Sequence, residues 1–111
     1  MQQPASNHGR SAERRRLEVT AQIRERGAGG LPLPLDLLEV SESGAFIDSD
    51  LLLPVGLELD LRFDIPGGHS VAAGGRVVRV DDQRGSAGMG LHFDHLSKVD
   101  RAILRRFTRP E

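Results

Sequence analysis

Apolar residues alternate with polar ones along most of this chain. Leu17, Val19, Ala21 and Ile23 take turns with Glu18, Thr20, Gln22 and Arg24. A period of two predicts a strand with one buried face. Gly27 to Gly30 break that strand. Leu33 to Val40 reads as a second strand, and Pro32 and Pro34 suit an edge position or an irregular start. Ser41 to Gly44 is a turn, after which Ala45-Phe46-Ile47 resumes extended structure. Leu51 to Gly56 reads as a loop that still buries leucines. The clearest alternation follows, with Leu57, Leu59, Leu61, Phe63 and Ile65 set against Glu58, Asp60, Arg62 and Asp64. Pro66-Gly67-Gly68 is a hairpin signal. Residues 70–81 form the return strand. Their apolar phase shifts between Gly75 and Val78, which predicts a bulge or sharp bend of the kind barrels need at corners. Gln83 to Gly85 turn again, and Met89, Leu91 and Phe93 alternate on a last strand.

The end of the chain changes period. Ser97 stands three residues before Asp100, a helix-start signal. Leu96, Val99, Ile103 and Phe107 then fall near one face, and Lys98, Arg101, Arg105 and Arg106 lie largely elsewhere. An amphipathic helix of three turns is expected to pack on the sheet or cap it. Six short strands and one helix make the fold mainly β: a six-stranded antiparallel β-barrel with a C-terminal α-helix.

Composition narrows this picture. A length of 111 residues suits one domain. It is expected over residues 13–109, after a polar, flexible arm at residues 1–12. Formal net charge is −1, which argues against binding a nucleic acid polymer. There are no cysteines, so disulfides and thiolate metal sites are excluded. No apolar run reaches the length of a membrane span, and the first residues lack the apolar core of a signal peptide, so a cytoplasmic location is expected. With no Trp or Tyr and four Phe, the core rests on Leu, Val and Ile.

Catalytic and metal chemistry find little support. His92 and His95 stand three apart, which on a regular strand points them to opposite faces, so they do not share a metal. Ser41 lacks the strained glycine-flanked turn and the histidine partner that a nucleophile needs. The chain is therefore expected not to be an enzyme.

Two segments stand out instead. One is the run Glu13-Arg14-Arg15-Arg16 before the first strand. The other is Glu39-Val40-Ser41-Glu42-Ser43-Gly44, leading into Ala45-Phe46-Ile47. With the ending Gly88-Met89-Gly90-Leu91-His92-Phe93, then Leu96-Ser97, their order and spacing resemble the PilZ domain family. That family carries RxxxR before its first strand and (D/N)xSxxG before an apolar strand. The resemblance covers roughly residues 13–107 and implies a β-barrel that binds cyclic di-GMP.

The chemistry of such a ligand explains the motifs. Cyclic di-GMP is a dianion with two guanines. Arginine offers a planar fork of donors that suits phosphate oxygens and guanine O6 and N7. The acidic residue of the second motif accepts from guanine N1–H and N2–H₂. Serine bonds to the local backbone or to the ligand, and glycine permits a close approach. Carried over onto this chain, the ligand-binding residues are Arg14, Arg15, Glu39, Ser41 and Gly44. The match departs from the pattern in two places. With Arg15 as the first arginine of RxxxR, the second falls on Val19; a literal RxxxR lies further upstream, at Arg10 and Arg14. Glu39 stands where Asp or Asn is usual and reaches one methylene further.

The resemblance thus implies a non-enzymatic bacterial signalling module that binds cyclic di-GMP and relays it to a protein partner in motility, pili or biofilm regulation. Binding would order the N-terminal arm against the barrel. The alternative is a degenerate adaptor that no longer binds the nucleotide and works through protein–protein contact, with Leu51–Leu53 as a docking surface. No cofactor is expected beyond that possible ligand, and monomer and homodimer both fit.

Overall fold

The computed structural model describes residues 15–83 and 86–109. The flexible arm expected at residues 1–12, together with Arg10 and Arg14, lies outside the described residues, as do two residues of the turn expected at 83–85. Six strands and a helix follow one another: β1 (Arg15–Glu25), β2 (Leu33–Val40), β3 (Gly44–Asp48), β4 (Glu58–Ile65), β5 (His69–Gln83), β6 (Ser86–Leu96) and α1 (Lys98–Thr108). All pairings are antiparallel, and the strands close into a barrel in the order β1-β2-β3-β6-β5-β4.

The alternating positions line the inside. Leu17, Ala21 and Ile23 of β1 are buried, as are Leu59, Leu61, Phe63 and Ile65 of β4. Ile47, Val71, Val77 and Met89 are wholly enclosed. Each such side chain contributes about 1.5–3 kcal/mol by leaving water. Closure removes the unpaired sheet edges that would otherwise invite aggregation. The hairpin at Pro66-Gly67-Gly68 is formed as expected: both glycines take positive φ, at 105° and 88°, and Ile65 pairs with His69.

The proline of β2, Pro34, marks an irregular start and not an edge. Leu33 and Pro34 pair only with Ile23 and Gln22 of β1, and β3 joins from Asp36 onward. Pro34, with no N–H to give, therefore sits where one neighbour is missing. The phase shift read in the return strand is a bulge: Val77 pairs with Leu91 and Arg79 with Gly90, so Val78 is the extra residue and is exposed. A second slip, which the periodicity did not announce, falls in β6. Gly74 pairs with His95 and Gly75 with Phe93, leaving Asp94 over. It turns His95 outward, so both His92 and His95 are exposed, contrary to the strict two-residue alternation.

Helix α1 is capped by Ser97, whose hydroxyl accepts from the Asp100 N–H at 3.0 Å. The face it buries differs from the one expected. Leu104 and Thr108 are buried, Ile103 and Phe107 are partly covered, and Val99 is 64% exposed. The reason is Asp100, which accepts from the backbone N–H of Ala72 and meets His69 Nε2 at 2.9 Å. Those bonds seat the first turn on β5 through its polar side and roll Val99 outward. Leu51, expected inside its loop, is half-exposed, whereas Leu52 and Leu53 pack on the core.

Candidate functional site

The turn between β2 and β3 is built on Ser41. Its hydroxyl accepts from the backbone N–H groups of Ser43 and Gly44, each at 3.1 Å, and its own N–H donates to the Gly44 carbonyl at 2.8 Å. Ser41 is itself buried. Gly44 meets β6 so closely that a Cβ there would collide with the Leu91 carbonyl oxygen. Both residues thus hold the turn flat against β6. Glu42, at the turn's tip, is gripped by the helix: Arg105 Nη2 lies 3.0 Å from its carboxylate and Arg105 Nε donates at 3.1 Å.

A depression of about 180 Å³ opens beside this turn. Glu39, Ser41, Gly44 and Phe46 line it from β2, the turn and β3, and Val78, Arg79, Gly90 and His92 from β5 and β6. Three of the residues expected from sequence, Glu39, Ser41 and Gly44, are thereby brought together.

Arg15 is placed differently. It pairs across the ladder with Val40, an inward residue, and so points toward the barrel end that α1 covers. Its guanidinium stacks 4.2 Å from the Phe107 ring centroid and donates to the Phe107 carbonyl at 2.8 Å. Val19 faces inward too, half-buried against the core and in register with Leu37. An arginine at that position would point into the barrel, so the second guanidinium of an RxxxR pair has no outward place there. Arg14 lies outside the described residues.

Phe46, Gly90 and Arg79 also line the depression and were not assigned to the ligand from sequence. Arg16 is in register with Glu39, Glu39 with Phe46, Phe46 with Gly90, and Gly90 with Arg79. These five positions form one rung across five strands, on the outer face. Arg79 lies over the Phe46 ring at 5.6 Å and is also tethered to Asp81 at 3.4 Å. The signal available in the sequence was the bulge at Val78. It breaks the alternation in Val77-Val78-Arg79-Val80 and sets Arg79 outward.

A second polar cluster lies elsewhere. Arg26, just beyond β1, reaches Asp94 at 2.7 Å, Glu58 at 3.4 Å and Asp60 at 3.7 Å. The Arg26 hydrogen bond, with help from His95, holds the Asp94 carboxyl below its ordinary range, against the opposing effect of partial burial. Asp94 in turn raises Arg26. Every charge here is answered by another, and the cluster ties the β6 bulge to β1 and β4. Among the described residues no group of three or more acidic, histidine or cysteine side chains is set to hold a metal. Among them, too, no helix is long and apolar enough to cross a membrane.

Comparison with known proteins agrees with this architecture. The Bacillus subtilis inhibitor of motility, MotI/DgrA, superposes with a TM-score of 0.78 at 16% identity, over 89% of this chain and 49% of that one. This chain therefore spans about half the length of that protein. The PilZ domain of YcgR from Escherichia coli, solved with c-di-GMP, superposes with a TM-score of 0.69 at 12% identity, over 89% and 88% of the two chains. At such identities these likenesses establish the barrel and helix alone. No curated protein matches in sequence. The family model for the PilZ domain matches residues 9–109, nearly the whole chain, and on that match the chain belongs to the PilZ domain family.

Proposed function

We propose that this chain is a non-enzymatic signalling module that binds c-di-GMP at the depression beside the β2–β3 turn and passes the binding event to a protein partner. PilZ domains are in general c-di-GMP-binding modules, and the YcgR domain was solved with that ligand. The observation that carries the reading is the convergence of Glu39, Ser41 and Gly44 on one outward depression. In it, Glu39 accepts from the N1–H and N2–H₂ of a guanine. Ser41 and Gly44 hold the turn against which the base lies. Arg14 and Arg15 supply guanidinium groups to the phosphates.

Arg15 also offers a route for relay. Its guanidinium is spent on Phe107 at the end of α1. A dianionic ligand that captures it withdraws that contact and changes the surface at the helix C-terminus. Motility, pili and biofilm control are the kinds of output such a relay serves.

A second reading has its own support. Arg15 is engaged with Phe107 and Val19 faces inward, which fits an adaptor that has given up the nucleotide and docks a partner through exposed apolar residues such as Leu51. Calorimetric titration with c-di-GMP separates the two. Saturable heat is expected, and Glu39→Ala should weaken binding about ten- to a hundredfold, in line with losing a paired contact to a base. Absence of heat at high ligand concentration would leave the adaptor standing.

A further inference from the structure

We infer that Arg79 is a further arginine of the nucleotide site, reading the acceptor edge of a guanine from β5 in place of the guanidinium that Val19 cannot supply. The inference rests on the nucleotide-binding reading above and adds a residue and a base specificity to it.

Three observations carry it. First, Arg79 ends the rung that begins at Arg16 and runs through Glu39, Phe46 and Gly90, so the charged groups of β1, β2 and β5 share one outward row. Second, the row is cleared in its middle. A Cβ built at Gly90 would lie 3.6 Å from Arg79 Cβ and 3.8 Å from its Cζ, so the arginine crosses β6 over the one rung residue that has no side chain. Third, what it crosses toward is an aromatic face: its Cζ stands 5.6 Å from the Phe46 centroid, at the depression shared with Glu39. A guanidinium resting on a ring is held by the ring's negative face and loses less freedom on meeting a ligand.

The two ends of this depression are chemically opposite, and guanine is opposite in the same sense. Its N1–H and N2–H₂ are donors that suit the Glu39 carboxylate. Its O6 and N7 are acceptors that suit the Arg79 fork. Three strand spacings of about 4.8 Å separate the two backbones, a gap that a purine and two extended side chains can fill. Adenine fails at both ends. It places an N6 amino group before the arginine and has no N2 amine for the carboxylate. Asp81, 3.4 Å from Arg79 Nε, holds the side chain from behind, and that pair is exposed enough to be given up to a ligand.

The test is calorimetry of the full chain with c-di-GMP and with cyclic di-AMP, on the parent, Arg79→Ala and Arg79→Lys. Arg79→Ala is expected to weaken c-di-GMP about ten- to a hundredfold. Cyclic di-AMP should bind the parent more weakly than c-di-GMP does, and the preference should shrink in Arg79→Ala. Arg79→Lys should recover part of the affinity, through charge, and less of the base preference, because an ammonium has no planar fork. A melting midpoint equal to the parent's confirms that the exposed substitution leaves the barrel intact. If the parent binds c-di-GMP and Arg79→Ala binds it equally well with the same base preference, Arg79 has no part in the site. If the parent does not bind at all, the nucleotide-binding reading itself is overturned and this subsite goes with it.

Discussion

Ser41 and Gly44 show how a motif can be legible while the work of its residues is not. Their spacing marks a turn, and the turn is there. What spacing cannot convey is that the Ser41 hydroxyl is consumed by two backbone N–H groups, or that Gly44 is pressed against the Leu91 carbonyl. The second fact depends on β6, some fifty residues downstream in the chain. Ser41→Ala should cost about 1–3 kcal/mol, because it strands two donors in a half-buried turn. Equilibrium urea unfolding would show the loss as a lower midpoint at unchanged slope. A loss of nucleotide affinity with no change in midpoint would instead give Ser41 a direct role at the ligand. Arg15 makes the complementary point. Its charge is plain in the sequence, but its direction follows from pairing with Val40, which turns it to Phe107 and away from the depression.

Strands were easier to read than the slips between them. β4 alternates without interruption, and each of its expected inward residues is buried. The bulge at Val78 disturbs an apolar pattern and so leaves a trace. The one at Asp94 falls between Phe93 and Leu96, among polar residues, and leaves none. Yet that slip brings Asp94 to Arg26 at 2.7 Å and joins β6 to the end of β1. The pair has a pH signature. Asp94 titrates below its unfolded value, so its contribution is fully present above the unfolded carboxyl range, about pH 4, and is lost as pH falls through the folded value. The stability gap between the parent and Asp94→Asn should therefore be constant from neutral pH down to about pH 5 and narrow below about pH 4. Thermal unfolding across that range would measure it; a gap unchanged to the lowest accessible pH would mean the Arg26 contact contributes nothing. The helix taught the same lesson in reverse. Its hydrophobic stripe pointed to Val99, and a single polar residue, Asp100, rolled it away by bonding to β5.

At the scale of the whole molecule, the order β1-β2-β3-β6-β5-β4 is what assembles the site, and no local pattern contains it. β3 must lie beside β6, and β6 beside β5, for Glu39, Phe46 and Arg79 to share a rung. Helix α1 then joins the site to the barrel's end by two grips: Arg105 on Glu42 at the β2–β3 turn, and the Phe107 ring and carbonyl on Arg15 at the start of β1. The first grip is an ion pair with one half-exposed partner, worth about 0–1 kcal/mol to the fold. Its effect on the ligand should be larger than its effect on stability, because a loosened turn has to be ordered again on binding. Ordering side chains at an interface costs roughly 0.5–1.5 kcal/mol each, so Glu42→Ala should weaken c-di-GMP about two- to tenfold while the melting midpoint barely moves. Arg105→Ala should do the same, and the double variant should be no weaker than either single one, since both remove one contact. Additive losses in calorimetry would show that Glu42 and Arg105 act on the ligand separately. In that case the helix would be a neighbour of the site and not its clamp.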